Sequence, residues 1–242
     1  LSSAGNHCAA SANTKREETG IDEAQPVTRQ TATLRPYRPA DLDDLYRICL
    51  LTGDSGGDGS RLYRDPKLVG HLYAGPYGVL SPETAFVVED GEGVGGYILG
   101  TIDTRAFEAR LEAEWWPALR PRYADPLGTP PETWTADQRA AYLIHHPFAA
   151  PRRVVEPFPS HLHIDLLPRF QGQGLGKRLI DLWLETARDM GSRGVHLGVS
   201  RANTRAIRFY RAYGLDQLDL PIPNGPPPLF FTRSLRPPSS PA

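Results

Sequence analysis

The chain has 242 residues, with 27 Lys and Arg against 28 Asp and Glu, a formal net charge of −1. That length makes one large domain, or one domain with appendages, whose core holds together without cross-links. The near-zero charge argues against nucleic acid or an anionic membrane as the main partner, and no apolar run reaches spanning length. The start lacks the apolar core of a signal peptide, and the sole methionine is Met190, so Leu1 is not an initiator. Two cysteines, Cys8 and Cys49, make no disulfide framework, and a reducing, cytoplasmic setting is the default expectation.

Residues 1–31 are small and polar without a sustained period and read as a disordered tail, with a second short tail at 237–242. Thr33 to Arg38 predicts an edge strand broken by Pro36. Asp41 to Leu51 predicts a helix, with Leu42, Leu45, Ile48 and Cys49 on one face. The stretch Thr52 to Gly59 reads as a flexible acidic loop, and not as a calcium loop, because Asp65 stands at the twelfth position where Glu is needed. A second helical segment is expected within Leu62 to Tyr73. Phe86 to Glu89 and Gly95 to Ile102 bracket Asp90-Gly91, a hairpin signal.

Residues 104–158 differ in character. They hold Trp115, Trp116 and Trp134, many prolines and two helical stretches, Phe107 to Leu119 and Ala136 to His145. Roughly fifty residues in one connection of a compact domain imply an ordered or functional insertion, and the tryptophans favour a packed one. His145-His146 lack a partner at ligand spacing, so no metal site is expected. The remainder reads strand (His161 to Leu167), helix (Leu175 to Met190), strand (Val195 to Val199), helix after Asn203, then strands at Gln217 to Leu220 and Leu229 to Leu235. Pro-rich residues 221–228 link the last two strands. The order is that of a mixed α/β domain.

The stretch Arg169 to Lys177 joins an apolar strand to an amphipathic helix through glycines at 172, 174 and 176. A glycine-rich turn opening a helix aims unpaired N–H groups and the positive end of the helix dipole at one place, a seat for a phosphate or pyrophosphate. The last spacing is too short for a dinucleotide fingerprint, and Lys177 is followed by Arg178 where a P-loop needs Ser or Thr. What fits is Gln-x-x-Gly-x-Gly, as Gln171, Gly174 and Gly176. This resembles the acetyl-CoA pyrophosphate loop of the GNAT N-acetyltransferase superfamily. Downstream, Asn203, Ala206, Tyr210 and Gly214 follow the second GNAT signature, with Leu215 where Phe is usual. Asn203 also reads as a helix N-cap and Gly214 as the left-handed residue after the helix.

The resemblance covers about residues 33–236. It implies a GNAT fold: a mixed central sheet of about seven strands, splayed between strands 4 and 5, with residues 104–158 as a helical insertion between strands 3 and 4. Tyr97-Ile98-Leu99-Gly100, His163-Ile164-Asp165, Trp115-Trp116-Pro117 and Arg233-Ser234-Leu235 are similar to one branch. That branch comprises the acetyltransferase-like C-terminal domains of O-GlcNAcases and their free-standing bacterial relatives. No glycoside hydrolase domain is recognised in these residues, so hexosaminidase activity is not implied.

The resemblance implies acetyl-CoA as cosubstrate, CoA as product, and direct attack by an amine, a small molecule or a protein lysine, in a ternary complex. A non-catalytic acetyl-CoA sensor or protein-interaction module is the second reading, and the protein is a monomer or a homodimer. Gln171, Gly172, Gln173, Gly174, Leu175 and Gly176 offer backbone N–H groups to the pyrophosphate, with Lys177 nearby. By the same resemblance Leu166 and Leu167 offer backbone groups to pantetheine and acetyl, Asn203 contacts the cofactor, and Tyr210 is the acid near the sulfur. Strand alternation puts His161, His163 and Asp165 on one face. A polar face on a central strand needs a reason, which makes Asp165 the first candidate for general base and His163 the second; a satisfied hydrogen-bond network is the competing explanation. Asp103 ends the third strand and is expected to face the acceptor, and Asp54 and Asp58 would suit a cationic amine.

Overall fold

The computed structural model describes residues 31–218, 220 and 228–235. The expected tail at 237–242, all but Thr31 of the tail at 1–31 and all but the last residue of the Pro-rich link lie outside them, as does Cys8. Seven strands form one sheet in the order β1 (Thr33–Pro36), β2 (Phe86–Asp90), β3 (Gly93–Thr101), β4 (Ser160–Leu166), β5 (Gly194–Val199), β7 (Leu229–Ser234) and β6 (Asp216–Leu218). Neighbours are antiparallel except β4 and β5, which run parallel. That parallel pair is joined through α8 (Leu175–Asp189), as a parallel crossover requires.

The two faces of β3 and β4 feed different cores. Tyr97 and Leu99 face Leu45, Ile48 and Val69 of α1 (Leu42–Leu51) and α2 (Leu68–Tyr73). Ile98 and Leu162 face Leu179, Ile180 and Trp183 of α8 and Ile207 of α9 (Thr204–Tyr213). Helix α8 reads straight from its sequence: Leu175, Leu179, Ile180, Trp183, Leu184 and Ala187 make one buried stripe. The hairpin falls where Asp-Gly predicts it, but the left-handed residue is Gly93, φ 99°, and not Gly91. A register shift at Val88 and Glu89 absorbs the extra residue.

Helix α3 (Gly75–Leu80) was not predicted, because Gly75, Pro76 and Gly78 read as breakers. The glycines here are seats. A Cβ at Gly75 would stand 2.3 Å from Tyr46 Oη, and one at Gly70 would stand 2.4 Å from Tyr46 Cδ1. The Tyr46 ring therefore lies directly on backbone. Gly100 is as tight, with His161 O at 2.3 Å and Trp183 Cζ2 at 2.5 Å from its would-be Cβ. Gly100→Ala is expected to lower stability by about 1–3 kcal/mol through overpacking, read as a drop in urea midpoint at unchanged slope.

In the insertion, the expected single helix from Phe107 to Leu119 is three pieces. They are α4 (Thr104–Arg110), a π turn (Leu111–Trp115) and α5 (Trp116–Leu119). Pro117 explains the break, since it has no N–H to return to the preceding turn. Trp116 and Leu119 pack with Ala140 and Ile144 of α6 (Ala136–His145) on Leu68 of α2. Trp115 Nε1 donates to His71 O at 3.0 Å. A short α7 (Arg152–Val155) leads into β4. No helix among the described residues is long and apolar enough to cross a membrane.

Candidate active site

Strands β4 and β5 are paired only at Ser160–Val195 and His161–His196. Beyond His161 they diverge, and a cleft of about 420 Å³ opens along the free edge of β4. Its walls come from β4, from the turn into α8, from α9 and from the α1–α2 loop at Thr52 and Gly56.

The turn into α8 is built to leave donors unused. Gly172 (φ 73°) and Gly174 (φ 75°) are both left-handed, and Gly174 caps the helix without a side-chain bond. Among the described residues, the backbone N–H groups of Gly172, Gln173, Gly174, Leu175, Gly176 and Lys177 have no acceptor, whereas that of Gln171 goes to Pro168 O. Unpaired N–H groups at an open helix start are an anion seat. A Cβ at Gly172 or Gly174 would meet nothing within 4 Å, so these glycines serve backbone conformation. Gly176 serves packing instead: its would-be Cβ lies 3.2 Å from Phe209 of α9.

The loop is pinned at its base. Gln171 Nε2 donates to Leu166 O at 2.6 Å, and Arg169 reaches Asp90 at 3.1 Å and Gly93 O at 3.0 Å. Lys177 lines the cleft with its ammonium paired to Asp181 at 2.6 Å.

Strand geometry separates Leu166 from Leu167. Leu167 N–H donates to Gly95 O at 2.8 Å, its side chain is buried beneath α1, and it takes no part in the cleft wall. In an antiparallel ladder bonded and unbonded pairs alternate. Leu166 and Ile164 therefore turn their backbone groups away from β3, toward the gap. The Ile164 backbone was not singled out from sequence, although alternation from Leu166 would have found it. Thr52, Gly56 and Phe209 were also missed; they reach the cleft by tertiary packing, which leaves no local signal.

Asp165 lies at the floor of the cleft, accepting from Tyr97 Oη at 2.7 Å. Burial raises its carboxyl to about 6, against the lowering effect of the hydrogen bond from Tyr97. The buried Cys49 thiol is raised by burial and then by the adjacent Asp165 charge. Tyr210 lines the cleft from α9, packed on Phe231 at 5.3 Å. Its hydroxyl is raised by burial and by Asp165, and it has no hydrogen-bond partner among the described residues. Asn203 caps α9 through Ala206 N at 3.0 Å and also lines the cleft, against Gly56.

His163 shares the face of Asp165, but its Nε2 meets Tyr77 Oη at 3.0 Å, and burial lowers it to about 4. Asp103 is not brought to this cleft. It caps α4 through Ala106 N at 3.0 Å and borders a separate recess with Arg105 and Arg193. The acidic loop is ordered: Asp54 and Gly57 exchange backbone bonds, Ser55 is left-handed at φ 51°, and Asp58 is spent on Ser60. No group of three or more His, Cys, Asp or Glu among the described residues could hold a metal.

An open seven-stranded sheet, splayed at its one parallel pair beside an uncapped glycine turn, defines an α/β protein with unpaired N–H groups facing a cleft along β4. Residues 30–215 match the profile of the Acetyltransferase (GNAT) family, and the chain belongs to that family. It is 29% identical over 187 residues to protein O-GlcNAcase of Rattus norvegicus, covering 77% of this chain and 20% of that protein. The chain thus spans about a fifth of that relative's length. It is 27% identical over 129 residues to mycothiol acetyltransferase of Pseudarthrobacter chlorophenolicus, covering 52% of this chain and 36% of that protein. Among solved structures, that of SsHAT superposes with a TM-score of 0.75 at 37% identity, over 85% of this chain and 99% of that one. The similarity to O-GlcNAcase expected from β3, β4 and the insertion is thereby found, and the GNAT fold with it.

Proposed function

We propose that the chain is an acetyl-CoA-dependent N-acetyltransferase that passes the acetyl group directly to an amine. The observation that carries this is the run of six unpartnered N–H groups, Gly172 to Lys177, at the mouth of the cleft that holds Asp165 and Tyr210. A pyrophosphate on those donors would direct pantetheine along the unpaired edge of β4. There the Leu166 N–H is a donor for the thioester oxygen as charge develops. Asp165 takes the proton of the attacking amine, directly or through one water, and its raised carboxyl titrates near working pH as a base should. Tyr210 donates to the leaving thiolate. Cofactor chemistry is limited to the activated thioester; the chain supplies orientation and proton traffic.

The test is calorimetry with acetyl-CoA followed by acceptor-dependent CoA release over a panel of amines and peptides. Stoichiometric binding with release, slowed at least tenfold in Tyr210→Phe, is the expected result. Binding without release across the panel would replace the enzyme by an acetyl-CoA sensor. No binding by folded protein would overturn both.

A further inference from the structure

A line of short contacts runs through the α1–α3 side of β4. Thr104 Oγ1 lies 2.7 Å from Pro159 O and 2.8 Å from His161 Nδ1. His161 Nε2 lies 2.8 Å from Tyr77 Oη, which lies 3.0 Å from His163 Nε2. Four side chains thus form one chain of hydrogen bonds ending on a backbone carbonyl. Proton placement follows from that end, because a carbonyl only accepts. The Thr104 proton fills the Pro159 contact, so Thr104 oxygen accepts from His161 Nδ1–H. His161 Nε2 is then bare and accepts from Tyr77, and the Tyr77 oxygen accepts from His163 Nε2–H. The reverse direction leaves two oxygens facing each other at 2.7 Å with no proton between them.

The last link leaves His163 Nδ1 unprotonated and unpartnered. Among the described residues, the fully buried side-chain atoms without a partner are Arg35 Nε and His71 Nε2, so His163 Nδ1 is not fully enclosed. Beside it stands Tyr73, 40% exposed, with ring centroids 5.9 Å apart. The geometry points to His163 as a fixed hydrogen-bond acceptor for the incoming amine, its Nδ1 lone pair on the strand face of Asp165, with Tyr77, His161 and Thr104 as the residues that hold this tautomer. This deepens the acetyltransferase reading and rests on it for the identity of the amine as acceptor. A carboxylate and a neutral imidazole lone pair on one face make a site for a donor-rich primary amine and a poor one for an anionic acceptor. Burial keeps His163 neutral at pH 7, so it repels no ammonium. The proton itself goes to Asp165.

Long-range proton–nitrogen NMR at neutral pH tests the tautomer without any turnover, with His163→Gln to assign the signal. Wild type should show His163 with bare Nδ1 and protonated Nε2. Thr104→Ser should keep that pattern, and Thr104→Val, which removes the hydroxyl, should mix tautomers at His161 and His163. Titration of the CoA-loaded protein with n-butylamine should move the His163 Nδ1 resonance, with apparent affinity about tenfold weaker in Tyr77→Phe and CoA affinity unchanged. A protonated Nδ1 in wild type overturns the proposal, as does an unmixed spectrum in Thr104→Val or a Nδ1 signal blind to the amine. Failure of the acetyltransferase reading looks different: the amine shifts His163 and no CoA is released from acetyl-CoA.

Discussion

Gly174→Glu is expected to abolish acetyl-CoA binding, by about a hundredfold or more, while the protein stays folded. The structure separates the two effects. A Cβ at Gly174 meets nothing within 4 Å, so no core contact is disturbed. The left-handed backbone, φ 75°, costs a side chain about 1–2 kcal/mol. A carboxylate at a helix N-terminus is favourable to the dipole and offsets part of that. Binding has no such compensation. The new carboxylate would occupy the donors of Gly172 to Lys177 and face a pyrophosphate of like charge, a juxtaposition worth several kcal/mol. Gly174→Ala isolates the backbone term and should weaken binding less than tenfold. Calorimetry on the three proteins, with thermal melts beside it, reads both quantities. Equal binding by Gly174→Glu and wild type would mean that the phosphates lie elsewhere.

Where local chemistry and tertiary structure agree, the chain can be read directly. The α8 stripe, the Asn203 cap and left-handed Gly214 of α9, and the polar face His161–His163–Asp165 all follow from spacing, since each depends on neighbours within two turns or two strand residues. Reading fails where a residue answers to a distant partner. Gly75 and Gly78 spell a turn, yet they open and line α3 because Tyr46, Tyr37 and Leu45 need bare backbone to lie on. Asp103 looks like a strand-end acid near the acceptor and is spent on capping α4. Leu166 and Leu167 are adjacent and alike, but the pleat sends one toward the gap and the other into the core. Tyr77 sits in an unpromising Gly-Pro-Tyr-Gly context, and only the folded chain brings its hydroxyl to two histidines.

Asp165→Asn should make the protein more stable and nearly inactive at once. The sign follows from the direction of the shift. The folded carboxyl is raised to about 6, above its unfolded value near 3.8, so the native state holds a proton that the unfolded chain has released. Wild-type stability from this group is full below pH 3.8 and is lost as pH rises to about 6. Above that the charged carboxylate is a standing cost. A rise from 3.8 to about 6 corresponds to about 3 kcal/mol, and partial access to solvent reduces this to about 1–3 kcal/mol. Asparagine carries no charge and still accepts from Tyr97, so at pH 8 it should melt higher than wild type, with the difference closing toward pH 4. Turnover should fall by about 10²–10⁴, the usual worth of a positioned base. The acid limb of wild-type kcat/KM, falling below about pH 6 as Asp165 takes a proton, should vanish with it. Full turnover in a stabilised Asp165→Asn would move the base elsewhere, and an unstable, inactive variant would mean that the carboxylate holds the fold.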